Sequence, residues 1–130
     1  MGQPYYLIDT NVVIDYLSGK LPPKATYFIN AIVDEAPQIS VITKIEILGF
    51  NTQKQQSYQT LVDFIDATIV FNLDNDIVDK TIELRKTYRI KLPDAIIAAT
   101  VLVNELILLT RNISDFKNIE ALKIIDPWTL

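Results

Sequence analysis

LPDAIIAATVLVNELILLTRNISDF, residues 92–116, decides how the rest of the chain is read. Pro93 opens a helix, because its missing N–H costs nothing in a first turn. Asp94 sits in that turn. Ala95 to Val103 is apolar nearly all round, the pattern of a helix buried inside a domain. Asn104-Glu105 breaks it, and Leu106 to Leu109 is a short apolar run that reads as a strand buried on both faces. Thr110, Asn112 and Asp115 follow in a polar loop. One acid therefore precedes a buried helix and another follows a buried strand.

The same alternation runs through the chain. Tyr5 to Asp9 reads as strand one, followed by a short helix through Val12, Val13, Ile14, Tyr16 and Leu17 that Gly19 stops. Pro22-Pro23 start a second helix ending near Pro37. Gln38 to Ile42 reads as strand two, rich in β-branched residues. Thr43 then caps a third helix, with Glu46 completing a capping box and Gly49 ending it. Tyr58, Leu61, Val62 and Ile65 lie at helical spacing opposite Gln53, Gln55, Gln56 and Gln59. Ala67 to Phe71 is strand three. Asp74 and Asp76 start a helix with Ile77, Thr81, Leu84 and Tyr88 on one face, and Ala121 to Ile125 is strand five, closed by Pro127. Short apolar strands alternating with helices predict one α/β domain over residues 1–130, a parallel sheet covered by helices on both faces.

Composition limits the chemistry. The 130 residues are 49% hydrophobic with 3 Gly, which fits a globular domain. No apolar run approaches the ~20 residues of a membrane span. No basic residue or h-region opens the chain, so a cytoplasmic location is expected, with no membrane partner. There is no Cys and no His, which excludes disulfides, thiolate nucleophiles, imidazole acid–base catalysis and Cys/His metal sites. The net charge of −4 counts against broad non-specific nucleic-acid binding.

In a parallel α/β sheet, ligands bind at the carboxyl edge of the strands. Asp9 ends strand one, Glu46 follows strand two, Asp94 begins the helix that leads back to strand four, and Asp115 follows strand four. Each acid alone has a structural alternative as a cap, a dipole partner or a turn residue. Four carboxylates on one rim instead repel one another unless a cation or a partner's Arg or Lys relieves them. An all-oxygen set without His or Cys suits Mg2+ or Mn2+.

Four blocks carry a family resemblance: LIDTN at 7–11, S-x-x-T-x-x-E at 40–46, DAIIAAT at 94–100 and LLTRNISDF at 108–116. The chain resembles a PIN domain of the VapC-like toxin type, strongly in those blocks and weakly between residues 50 and 90. The resemblance implies a five-stranded parallel sheet in the order 3-2-1-4-5, a homodimer and a cognate antitoxin. It implies a metal-dependent endoribonuclease, with Asp9, Glu46, Asp94 and Asp115 as its metal-binding acids. It also implies that Thr10, Asn11, Thr110 and Asn112 are the polar residues beside them. Ile45 departs from the pattern, since a small residue is common before the glutamate.

Two rival readings place Mg2+ beside an acid at the end of strand one. A receiver-type phosphotransfer domain needs paired acids there and a late Lys, and a haloacid-dehalogenase type needs D-x-D, where this chain has Asn11. The third reading is a catalytically silent binding module on the same fold. Arg85, Lys86, Arg89 and Lys91 surround Tyr88 and are candidate contacts for RNA phosphates and a base, or else a solvated helix end. Arg111, in the site loop, is a further phosphate candidate or a partner of a neighbouring acid. Trp128 and the tail are expected to cover the core, and apolar residues of the second and third helices to line core or an antitoxin groove.

Overall fold

The computed structural model describes residues 5–49 and 55–130. Five strands form one parallel sheet: β1 (Tyr6–Ile8), β2 (Gln38–Ser40), β3 (Ile69–Phe71), β4 (Ile107–Leu109) and β5 (Ile124–Ile125), in the order β3-β2-β1-β4-β5. The helices between them are α1 (Thr10–Leu17), α2 (Pro23–Glu35), α3 (Val41–Leu48), α4 (Gln55–Asp66), α5 (Asn75–Thr87), α6 (Leu92–Val103) and α7 (Ile113–Phe116). A 3-10 turn, Pro127–Thr129, ends the chain. Among the described residues no helix is long and apolar enough to cross a membrane.

Successive strand residues face opposite sides of a sheet, and the cores divide accordingly. Leu7, Leu108 and Ile124 join Ile77, Leu84, Ile97 and Phe116 on the side of α5, α6 and α7. Ile8, Leu109 and Ile125 join Val12, Val13, Ile29, Ile47 and Ile65 on the side of α1 to α4. Both faces of the central strands are covered, which is why those strands read as unbroken apolar runs. In α6 every residue from Ala95 to Val101 is buried. Thr100 fits there because its hydroxyl donates to the Ile96 carbonyl at 2.7 Å. The helix ends as its sequence implies, at Asn104 with Glu105 at φ 54°.

Several boundaries differ from the sequence reading. Strand two stops at Ser40, whose hydroxyl accepts from the Ile42 N–H and caps α3. Thr43 is therefore no cap: it is fully buried inside α3. Glu46, well past the first turn, completes no capping box. A local cap outweighed the β preference of Val41 and Ile42. Ala67 and Thr68 precede β3 because their N–H groups bond back to Phe64 and Ile65. In α4 the packed residues are Leu61, Phe64 and Ile65, while Tyr58 is exposed. Gln53 and the side chains of Gln55 and Gln56 lie outside the described residues. Asp115 lies in α7 and not in a loop. Strand five is only Ile124–Ile125.

The burial contrast sets an expected outcome. Leu108 is fully buried between helices, whereas Ile69 on the edge strand is 50% exposed. Denaturant unfolding should place Leu108→Ala about 3 kcal/mol below wild type and Ile69→Ala within about 1 kcal/mol of it. Equal losses would mean that the sheet is not enclosed in this way.

Candidate active site

The carboxyl ends of β1 and β4 meet at Asp9. Its backbone N–H donates to the Leu109 carbonyl at 2.9 Å, so the position is fixed by strand pairing. Its side chain is buried, 6% exposed, and accepts three hydrogen bonds. Oδ1 accepts from Thr10 N at 2.8 Å, which also caps α1. Oδ2 accepts from Thr110 Oγ1 at 2.7 Å and Asn11 Nδ2 at 3.1 Å. Burial pushes the Asp9 carboxyl above its ordinary value, and the Glu46 charge adds to the rise. The hydrogen bonds from Thr110, Thr10 and Asn11 oppose it.

Asn11 ties the other strand end into this network. Its Oδ1 accepts from Arg111 N at 3.1 Å, and its amide lies 3.4 Å from Thr110 Oγ1. Thr110 is fully buried, and its oxygen also accepts from Asn112 N at 3.1 Å. On the opposite side, Thr10 donates to Glu46 Oε1 at 2.6 Å and its oxygen lies 3.1 Å from Thr43 Oγ1. Since a hydroxyl has one proton, Thr10 gives it to the carboxylate and Thr43 supplies the second bond. Thr43 is a site residue that the sequence reading left out. Its signal was the three-residue spacing to Glu46, which puts both on one helix face. Ile45 is 61% exposed and does not crowd the site.

Asp94 is in the first turn of α6 and Asp115 in the first turn of α7. Both line one cleft at this edge. Desolvation raises the Asp94 carboxyl above its ordinary value, and the charges of Asp115, Asp9 and Glu46 raise it further, with Lys91 opposing. Among the four acids, the charges of the other three thus all reach Asp94. Among the described residues no three of them close on a single point as a preformed metal cage. An open set of this kind still suits Mg2+, which is held by one or two carboxylates and keeps several waters.

Among the described residues the ion pair present is Lys80–Glu83, on α5, so no rim acid is held in an ion pair. Arg111 does not pair with an acid. Its guanidinium lies 4.0 Å from the centre of the Trp128 ring, a cation–π contact. Trp128 packs against the core on the α1–α4 side, as expected for a covering tail. Arg85 and Lys86 fall in the last turn of α5, where positive charge complements the helix dipole. Tyr88 packs against the core, its hydroxyl accepting from Glu120 N at 3.2 Å.

The PIN domain family model matches residues 6–122. A chain of a toxin–antitoxin complex from Klebsiella pneumoniae is 34% identical, with a TM-score of 0.77 over 94% of this chain and 97% of that one. DNA-bound VapBC from Salmonella typhimurium contains a chain 24% identical, TM-score 0.79, with 96% and 99% covered. FitAcB from Neisseria gonorrhoeae contains one 20% identical, TM-score 0.75, with 96% and 99% covered. The last two likenesses bear on the fold alone. No curated protein gives a significant match.

The raised Asp94 carboxyl gives a signed prediction. The folded chain holds this proton more tightly than the unfolded chain, so ionised Asp94 weighs against the fold at neutral pH. The penalty fades as pH falls through the raised pKa towards the ordinary 3.8. In EDTA at low ionic strength, Asp94→Asn should match or exceed wild-type stability at neutral pH, and its advantage should vanish near about pH 4. If Asp94 only complements the dipole of α6, the substitution instead lowers stability by about 0.3–1 kcal/mol. Denaturant midpoints across pH decide between the two.

Proposed function

Because the chain belongs to the PIN domain family, we propose that it is a VapC-like toxin, an endoribonuclease that hydrolyses RNA phosphodiester bonds with Mg2+ or Mn2+. One observation carries the reading: four acids from separate segments share one sheet edge, the charges of the other three reaching Asp94, and none of them is held in an ion pair among the described residues. Asp9 and Asp94 would hold the metal, with Glu46 and Asp115 binding it directly or through water. Thr10 bonds to Glu46, Asn11 and Thr110 bond to Asp9, and the Asn112 N–H supports Thr110, so these residues would orient the carboxylates of Asp9 and Glu46. When bound, the cation lowers the pKa of a metal-bound water and offsets charge building on the phosphate. The chain has no His, so a rim carboxylate takes the proton of the attacking water. The water oxygen would bond to phosphorus as one P–O ester bond breaks, and the departing oxygen would take up a proton from solvent to leave as a hydroxyl.

A cognate antitoxin and a second copy of the chain complete the proposed assembly, in the cytoplasm. The 34% identical chain, found in a toxin–antitoxin complex, supports a protein partner. The rim invites a basic side chain from it, since a guanidinium can bind a carboxylate through two parallel N–H···O bonds.

Cleavage of an unstructured RNA should stop in excess EDTA and return with Mg2+ or Mn2+. Asp94→Asn should lower its rate by at least about 100-fold. Cleavage that persists in EDTA removes the metal-dependent reading. A neutralising partner co-purified from the native operon should bind a variant lacking all four acids at least about tenfold more weakly. Equal affinity would place its anchor elsewhere.

A further inference from the structure

A cleft of about 260 Å3 opens beside the acidic rim. Asp94 and Asp115 line it together with Arg89 and Lys91. In a chain of net charge −4, four of the 12 basic residues fall between residues 85 and 91. Arg85 and Lys86 do not line the cleft, whereas Arg89 and Lys91 do. Both are exposed, and neither forms an ion pair among the described residues. Lys91 lies near enough to Asp94 to favour its charged form. The cleft therefore carries opposite charges side by side: carboxylates that suit a cation, and cations that suit an anion.

The remaining lining suits a base. Tyr88 is half-buried and held by the bond from Glu120 N to its hydroxyl. It forms an apolar wall with the buried Ile119. The exposed Asn118 adds an amide with both donors and an acceptor. Unpaired RNA bases are bound by such walls and read at their edges by such amides. The volume is below the usual range for drug-sized ligands, about 300–1,000 Å3, and admits a single nucleotide at most.

We propose that this cleft is a nucleotide subsite, taking the residue of single-stranded RNA next to the scissile phosphate. Arg89 and Lys91 hold its phosphate, Tyr88 and Ile119 hold its base, and Asn118 contacts the base edge. The subsite rests on the nuclease reading for its place in the reaction, but its ligand binding can be tested without catalysis.

The test is a titration of isotope-labelled full-length protein in EDTA, followed by NMR, with adenosine 5′-monophosphate and with inorganic phosphate. The nucleotide should give saturable shifts at Tyr88, Lys91 and Asn118, and the double variant R89Q/K91Q should weaken its binding about tenfold or more. Asn118→Ala, which leaves both cations in place, should alter the relative affinities of the four nucleoside monophosphates. Shifts that map elsewhere overturn the proposal, as does binding of inorganic phosphate as tight as that of the nucleotide, which would make the cleft an anion site only. In cleavage of an unstructured RNA with Mg2+, R89Q/K91Q should raise KM about tenfold. Wild-type KM in that variant removes the subsite and leaves the nuclease. Nucleotide binding in the cleft by a chain that cleaves no RNA removes the nuclease and leaves the subsite.

Discussion

The carboxylate of Asp9 is the group to which the rest of the site is tied. A buried carboxylate is tolerated only when donors surround it, and here they come from both sides of a strand junction. Thr10 and Asn11 follow β1, and Thr110 follows β4. Removing one side-chain donor would leave the buried carboxylate one hydrogen bond short, a cost of about 1–3 kcal/mol. The sheet order makes the arrangement possible, because β1 and β4 are neighbours although about a hundred residues separate them in the chain. Thr110 serves this junction twice, donating to Asp9 and accepting from Asn112 N.

Outward from Asp9 the site becomes more open and less neutralised. Glu46 is reached through one threonine hydroxyl, while Asp94 and Asp115 face the cleft. The cation nearest in sequence to the site loop, Arg111, stacks on Trp128 and leaves the acids alone. The electrostatics thus run against the stability of the isolated chain and towards binding something positive. Local conflict of this kind concentrates at functional sites, where the surrounding fold over-determines the geometry. Here that surrounding is the doubly covered sheet, with α6 buried along most of its length.

The edge of the acidic rim changes sign within a few residues. Arg89 and Lys91 end one connection and Asp94 starts the next helix, so one short segment borders both halves of the cleft. The overall negative charge does not describe this surface, because only the local arrangement of charges sets the field that a ligand meets.

The sequence by itself determined the fold class and the segments that supply the acids. Period, apolar runs and punctuation by Pro, Gly and Asn placed all five strands and put Asp9 and Asp94 at element ends, because those signals are local. The lack of His and Cys restricts any metal site to oxygen ligands, whatever shape the chain adopts. The strand order came from family resemblance and not from periodicity, which carries no information on which strands are neighbours. Tertiary structure alone decided the rest. Ser40 took the cap of α3 in place of Thr43, whose hydroxyl lies against Thr10 instead, and the energies of alternative caps differ by only about 1 kcal/mol. Thr43 became part of the site, Arg111 went to Trp128, and Arg89 and Lys91 came to share a cleft with Asp94. The contacts of Thr43 with Thr10 and of Arg111 with Trp128 join residues distant in sequence, and nothing in the spacing of a single segment specifies the distance between them.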